Sequence, residues 1–156
     1  MKWITRARPK TDRIACAWLI RKFIDPDAEI VYVPADVVLA TAAELGGNSF
    51  DAPGATYTHR PAPGGGEWCT FETLIAEYQL RDPALTRLAT IVHSADITGD
   101  LNSDPIGPGL LAIGSGGLDV EQDDQTLLQR GMFVYDALFA WCRREVGSSS
   151  STHGRS

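Results

Sequence analysis

The sequence lacks most of the features that assign a function at first sight. It has three histidines and three cysteines among 156 residues, and no two cysteines form a CxxC pair. Its apolar runs are far shorter than the roughly 20 residues that a membrane helix needs, so no membrane association is expected. It also lacks a basic excess, because 20 acidic residues against 14 basic ones give a net charge of −6. Nucleic-acid-binding domains usually carry a basic surface, so direct nucleic-acid binding by this chain is not expected.

The two ends of the chain and its cysteines predict a cytoplasmic single-domain protein. The first residues lack the apolar run of an export signal, and an odd number of well-separated cysteines is typical of reduced thiols. The serine-rich residues 147–156 are expected to form a disordered polar tail. Residues 1–146 are long enough for one stable core without disulfides, and the hydrophobic content of the chain, 44%, is that of an ordinary globular protein.

The pattern of apolar residues predicts an α+β fold that is mainly helical, with a small sheet of short strands. Residues rich in β-branched and aromatic side chains predict strands over 2–5 and 29–33. Residues 49–51 and 56–59 flank a Pro-Gly turn and are expected to pair as a hairpin. The glycine- and proline-rich residues 100–117 are expected to form turns.

Helices are predicted wherever apolar residues recur at helical spacing. Thr11 or Asp12 is expected to cap the first of them, and Asp82 followed by Pro83 is a strong helix start. The last helix has apolar residues around most of its circumference, so it is expected to be central and buried. The predicted helices span residues 12–23, 36–45, 70–79, from 83 to about 96, and 122–146.

Four side chains of the metal-ligating types are the best evidence of chemistry. His59 closes a strand-like stretch, and His93 precedes Asp96 by three residues on one helical face, where the two can converge. Glu72 lies in the first turn of the intervening helix. Imidazole and carboxylate ligands together suit zinc, iron or manganese. His59, Glu72, His93 and Asp96 are therefore a candidate site for a divalent transition metal.

Each of these acidic residues also has an ordinary structural explanation. A carboxylate such as Asp96 on the buried stripe of a helix must be paired, protonated or metal-bound, and pairing with a nearby arginine would suffice. Glu72 is explained equally well by the preference of acidic residues for helix N-termini. From the residues alone, both alternatives stay open.

Two further features predict reactivity or binding. Cys69 precedes a helix, where a lowered pKa would make it a reactive thiol or a soft ligand, although such cysteines are more often small buried hydrophobes. Arg6, Arg8 and Arg13 surround another helix start, which predicts a site for an anion recognised by bidentate hydrogen bonds. The alternative for these arginines is a solvated loop with incidental ion pairs.

Longer motifs carry a resemblance that extends over nearly the whole chain up to about Val146. The sequence resembles the ChrB-type chromate resistance domain in the runs WITR at 3–6, DRIACAWLIRKFIDP at 12–26, FD at 50–51, His59, CTFE at 69–72, DPAL at 82–85, AD at 95–96 and GMFVYDALFAWCR at 131–143.

The resemblance implies a role in bacterial chromate resistance, a stress response in which chromate or a similar oxyanion is the expected ligand. Full-length members of this family are chromate-responsive regulators in which the domain follows a region thought to bind DNA. This chain is expected to begin at the domain itself and to lack that region, so direct DNA binding by it is not expected, which is consistent with its acidic charge. Related domains are joined to rhodanese-like domains, so a regulatory or rhodanese-like protein is an expected partner. The expected function is an oxyanion- or metal-sensing or binding module, and the alternative is a metal-dependent hydrolytic or redox enzyme.

Overall fold

The computed structural model describes residues 1–154, and the side chains of residues 1–148. Within this part of the chain, helices carry most of the structure and the strands are short, as the sequence predicts. The strands are β1 (Lys2–Arg6), β2 (Glu29–Val33), β3 (Asn48–Ser49), β4 (Arg60–Pro61) and β5 (Glu67–Trp68). The α-helices are α1 (Asp12–Leu19), α2 (Val38–Leu45), α3 (Thr70–Glu77), α4 (Pro83–Asp96), α5 (Gly107–Val120) and α6 (Asp124–Gly154).

The main sheet has three parallel strands in the order β2-β1-β3. The central strand β1 pairs along its whole length with β2 and, through Trp3 and Ile4, with β3. A parallel pair needs a crossover connection, and α1 supplies it between β1 and β2. The predictions of the first two strands are confirmed.

The predicted hairpin is wrong. Residues 48–49 pair with β1, and Phe50 makes only an isolated bridge with Tyr57. The antiparallel hairpin lies further along, where β4 and β5 flank a glycine-rich loop over residues 62–66. Its turn requires glycine, since Gly65 and Gly66 adopt φ values of 102° and 75°, which residues with a side chain rarely adopt.

The most buried helix is α1, which packs against α3, α4 and α6. Every residue from Ile14 to Leu19 is buried, and Trp18 lies against Tyr135 and Phe139 of α6. The predicted continuation of this helix to residue 23 takes the form of a π-helical turn over Ile20–Ile24. This arrangement holds the start of α1, at Asp12, inside the domain.

The prediction of turns over residues 100–117 is wrong for most of that segment, because α5 begins at Gly107. Its glycines serve close packing. A Cβ atom on Gly107 would lie 2.1 Å from Ser94 Oγ of α4, and one on Gly114 would lie 3.0 Å from the carbonyl oxygen of Lys10. Glycine is therefore used here for close approach of backbones, despite its unfavourable helix propensity.

The last helix, α6, buries one face against α1 and α4. Leu127, Leu128, Tyr135 and Cys142 are buried in that face, whereas Phe133 is 74% exposed. The helix is assigned through Gly154, into the segment predicted to be a disordered tail. Because residues 155–156 and the side chains from 149 onward lie outside the described part, the disorder of residues 147–156 stays a prediction. Within residues 1–154, no helix is both long enough and apolar enough to cross a bilayer.

Candidate metal centre

The start of α3 is capped by a residue from a distant part of the chain. Thr11, one of the two residues expected to cap α1, is at its N-cap, and Asp12 is the first residue of that helix. The Asp12 carboxylate accepts hydrogen bonds from the backbone N–H groups of Thr70 and Phe71 at 2.9 and 3.2 Å. These N–H groups would otherwise be unpaired at a buried helix terminus. Asp12 is thereby fixed deep in the domain, with 2% of its surface exposed.

His59 and Asp96 meet beside Asp12. His59 Nε2 lies 2.9 Å from Asp96 Oδ2 and 3.6 Å from Asp12 Oδ2. One ligand atom from each of the three residues falls within 4.8 Å of the others. The three residues come from the start of α1, the segment before β4 and the last position of α4, so only the tertiary fold assembles them. We call Asp12, His59 and Asp96 the first group.

The opposite side of the imidazole is also held by a carboxylate. His59 Nδ1 lies 3.0 Å from Glu67 Oε1 of β5. An acceptor on Nδ1 favours the tautomer that leaves Nε2 free to bind a cation. In the metal-free protein, the carboxylates of Asp12 and Asp96 that face Nε2 raise the pKa of His59 to about 11. The imidazole is therefore protonated at neutral pH, and its positive charge faces the carboxylates of Asp12 and Asp96.

Asp96 Oδ2 is an orphaned buried polar atom. Although it lies 2.9 Å from His59 Nε2, the arrangement lacks hydrogen-bond geometry, and this oxygen has no hydrogen-bond partner among the described residues. Burial, with the nearby Asp51 carboxylate, raises the pKa of Asp12 to about 7. Asp12, which is buried, and Asp96, which is partly buried, thus share a single imidazole, and a divalent cation in place of its proton would balance both carboxylates. The donor set therefore fits a divalent metal ion.

Two of the three arginines predicted to bind an anion lie beside the first group, where both contact Asp51. Arg6 Nη2 and Arg13 Nε lie 3.5 and 3.3 Å from Asp51 Oδ2, and Thr70 Oγ1 donates to Asp51 Oδ1. Asp51 has a φ of 50°, in the left-handed region, which aspartate tolerates better than most residues. Asp51 thus places both guanidinium groups beside the first group.

Arg8 does not join them. Its guanidinium donates to the carbonyl oxygens of Leu118, Glu121 and Gln122 and to Asp124, which ties the end of α5 to the start of α6. The prediction that Arg6, Arg8 and Arg13 surround one anion has to be corrected for Arg8, because its donors are already taken by these acceptors.

Glu72 and His93 lie in a different group from His59 and Asp96. His93 Nδ1 is 2.5 Å from Glu72 Oε1, and His93 Nε2 is 2.6 Å from Asp100 Oδ2. Partial burial opposes the charged form of His93, but the hydrogen bonds with Asp100 and Glu72 outweigh it and raise its pKa. The four predicted ligands are thus arranged as two pairs, because His93 and Asp96 turn toward different partners although they share a helix.

Cys69 lies close to Glu72 and His93. Its thiol is fully buried, and burial, with the carboxylates of Asp12 and Glu72, raises its pKa well above the usual value. The expected lowering of the Cys69 pKa by the helix start is therefore wrong. Its reactivity as a thiol stays a prediction.

A cleft of about 250 Å³ opens over the first group. Its walls carry both signs of charge, because Arg6, Lys10 and Arg13 line it together with Asp12, Asp51, His59 and Asp96. A cation bound by the acidic side chains and an anion held by the guanidinium groups would lie side by side in this cleft.

The family model described as the C-terminal domain of ChrB matches residues 3–142. The chain belongs to the ChrB C-terminal domain family. Protein ChrB of Cupriavidus metallidurans is 36% identical over 139 residues, an alignment that covers 88% of this chain and 40% of that protein. The chain therefore spans less than half the length of this curated relative. No solved structure matches.

The segment shared with the ChrB C-terminal domain family contains every residue of the first group. The part that Asp12, Asp51 and Glu67 play in the site was not predicted from the sequence. The first two do fall in runs that resemble the ChrB-type domain, DRIACAWLIRKFIDP and FD, and that was the available signal. Glu67 had no comparable signal, because it meets His59 only when the β4–β5 hairpin forms.

Proposed function

We propose that this domain binds a divalent transition metal through Asp12, His59 and Asp96 and acts as a metal- and oxyanion-binding module in bacterial chromate resistance. The observation that carries the proposal is the convergence of Asp12, His59 and Asp96, whose ligand atoms lie within 4.8 Å of one another while Asp96 Oδ2 accepts no hydrogen bond among the described residues. Membership of the ChrB C-terminal domain family supports the chromate context. The cytoplasm is the proposed location.

The ligand types decide which metals are expected. One imidazole and two carboxylates suit zinc, manganese or iron(II), and the carboxylates exclude a preference for soft ions such as copper(I). When bound, the metal would replace the proton on His59 and neutralise the two aspartates. It would also supply a Lewis-acidic centre open to the cleft, since three protein ligands leave coordination positions for a further ligand.

Arg6 and Arg13, which lie beside the site, are the reason for proposing an oxyanion as the second ligand. Guanidinium groups bind tetrahedral oxyanions through paired, charge-assisted hydrogen bonds. In the metal-free protein both Arg6 and Arg13 contact Asp51, so their charge is partly compensated. We propose that chromate, or an oxyanion like it, binds against these two side chains in the cleft.

The metal part of the proposal is tested by titrating chelator-treated protein with Zn²⁺ or Mn²⁺ in a calorimeter. Asp96→Asn is expected to weaken binding by more than the roughly 10- to 100-fold that follows loss of an outer-shell partner. Asp119→Asn, which removes the same charge from an exposed position on α5, is the matched control and should leave the affinity unchanged. Equal affinities in the two variants would overturn the proposed site.

The oxyanion part makes a prediction that separates Arg13 from Arg8. With chromate as the titrant and metal at saturation, Arg13→Gln is expected to weaken chromate binding by roughly 10-fold, the equivalent of one charge-assisted hydrogen bond. Arg8→Gln should leave chromate affinity unchanged but lower the free energy of unfolding by about 1–3 kcal/mol, because it releases the α5–α6 junction. Loss of affinity in Arg8→Gln alone would contradict the assignment.

The open coordination positions also favour a second candidate function, a metal-dependent hydrolase. Catalytic zinc sites typically have three protein ligands and a water molecule, whereas structural sites have four protein ligands. Metal-loaded protein would then hydrolyse an activated ester faster than Asp96→Asn under the same conditions. Equal rates for the two proteins would contradict the hydrolase function and leave only the binding function.

A further inference from the structure

A second group of potential ligands lies outside the site proposed for the first metal. Cys69, Glu72 and His93 each offer one ligand atom, and these atoms lie within 4.8 Å of one another. Cys69 is the N-cap of α3, Glu72 is its third residue and His93 lies in the last turn of α4. We infer that these three side chains form a second metal site, with a thiolate ligand, that favours zinc or another divalent ion with affinity for sulfur.

His93 is oriented like a metal-ligating histidine whose second ring nitrogen is held by a carboxylate. Its Nδ1 faces Glu72 at 2.5 Å, and its Nε2 faces Asp100 Oδ2 at 2.6 Å. The Asp100 side chain is 47% exposed, so it lies on the solvent side of the imidazole. Metal-ligating histidines almost always donate their other ring N–H to a carboxylate or carbonyl oxygen. Asp100 would play that part and direct Nδ1 toward Cys69 and Glu72.

Cys69 is placed where a metal-bound thiolate would accept a backbone hydrogen bond. Its side chain accepts the backbone N–H of Glu72, while Glu72 Oε1 accepts the backbone N–H of Cys69 at 3.0 Å. A thiol is a weak acceptor, and a metal-bound thiolate is a much stronger one for the same N–H group. The capping box is thus also a preorganised pair of ligands.

The two sites are adjacent, and they differ in ligand chemistry. Asp12 of the first group accepts the N–H of Thr70, and Cys69 of the second group is the preceding residue. The first site offers nitrogen and oxygen only, whereas the second adds sulfur. This difference makes them distinguishable in one experiment, because only a thiolate ligand gives bound Co²⁺ a sulfur-to-metal charge-transfer band in the near ultraviolet.

The experiment is a Co²⁺ titration of the chelator-treated full chain under reducing conditions, followed by absorption and by bound cobalt. Two equivalents and a charge-transfer band are expected. Cys69→Ser should abolish the band, and Cys142→Ser should retain it. Cys142 is an equally buried cysteine of α6 that belongs to neither group, and it is therefore the matched control. Asp96→Asn should retain the band and lose one equivalent.

A surface variant guards against a core substitution that prevents folding. Asp100→Asn removes the outer partner of His93 and is expected to weaken the cobalt affinity read from the charge-transfer band by roughly 10- to 100-fold. Wild-type protein without a band at saturating Co²⁺, or a band that survives Cys69→Ser, would overturn the second site. One bound equivalent, without a band and lost in Asp96→Asn, would overturn the second site and leave the first intact.

Discussion

Asp12→Ala is expected to lower the free energy of unfolding by about 3–5 kcal/mol, the range found when one member of a buried charge pair is removed. The carboxylate of Asp12 accepts the N–H groups of Thr70 and Phe71, both of which belong to fully buried residues. Each N–H group left unpaired costs about 1–3 kcal/mol. The cost is large because one side chain both starts α3 and faces His59.

The comparison with Asp96 shows whether the structural and ligand roles separate. Asp96→Asn keeps the shape of the side chain, removes a carboxylate close to Asp12 and leaves the helix caps intact. Its stability is therefore expected to stay within about 1 kcal/mol of the wild type, although its metal affinity falls. Urea denaturation of metal-free protein measures both variants, with exposed Asp119→Ala as a control expected within about 0.5 kcal/mol. A loss below 1 kcal/mol for Asp12→Ala would contradict the capping role.

Two substitutions to alanine in the same helix are expected to change stability in opposite directions. At Gly114 of α5 a Cβ atom would lie 2.7 Å from Thr11 Oγ1 and 3.0 Å from the carbonyl oxygen of Lys10, so overpacking should destabilise the protein by about 1–3 kcal/mol. At Gly116 a Cβ atom would have no neighbour within 4 Å, so the gain in helix propensity should stabilise it by about 0.5–1 kcal/mol.

Thermal unfolding measures this difference directly. For a domain of this size, 1 kcal/mol corresponds to roughly 2–4 °C in Tm, so the two variants should move to opposite sides of the wild type. Because Lys10 and Thr11 directly precede Asp12, Gly114→Ala is also expected to weaken metal binding, whereas Gly116→Ala should not. Stabilisation by both substitutions would contradict the close packing of α5 on the start of α1.

The elements that could be predicted from the sequence are those whose cause is local. The strand over residues 29–33 and the start of α4 at Pro83 follow from β-branched residues and from the Asp82 cap, whose carboxylate accepts the N–H of Ala84. Helix α5 could not be predicted, because local propensity counts its glycines as breakers. Their benefit lies in contacts with α4 and α1, which are distant in sequence.

The candidate site could be predicted only in part, because residue types are visible in the sequence and tertiary contacts are not. His59 and Asp96 stood out by residue type, and the structure brings them within 2.9 Å. Helical spacing placed His93 beside Asp96, but spacing fixes only the face of a helix, and the side chains turn toward different partners. Asp12 looked like a local cap and became a ligand candidate only because the fold carries its carboxylate to the start of α3. The ligand types could be predicted from the sequence, whereas their grouping depends on tertiary contacts.

The most direct test of the first metal site is anomalous diffraction at the zinc edge from crystals of the wild-type protein grown with Zn²⁺. We expect a peak at about 2.0–2.2 Å from His59 Nε2 and from carboxylate oxygens of Asp12 and Asp96. This peak should be absent from crystals of Asp96→Asn grown in the same way. Fully zinc-loaded wild-type crystals without a peak between these three residues would contradict the proposed first metal site.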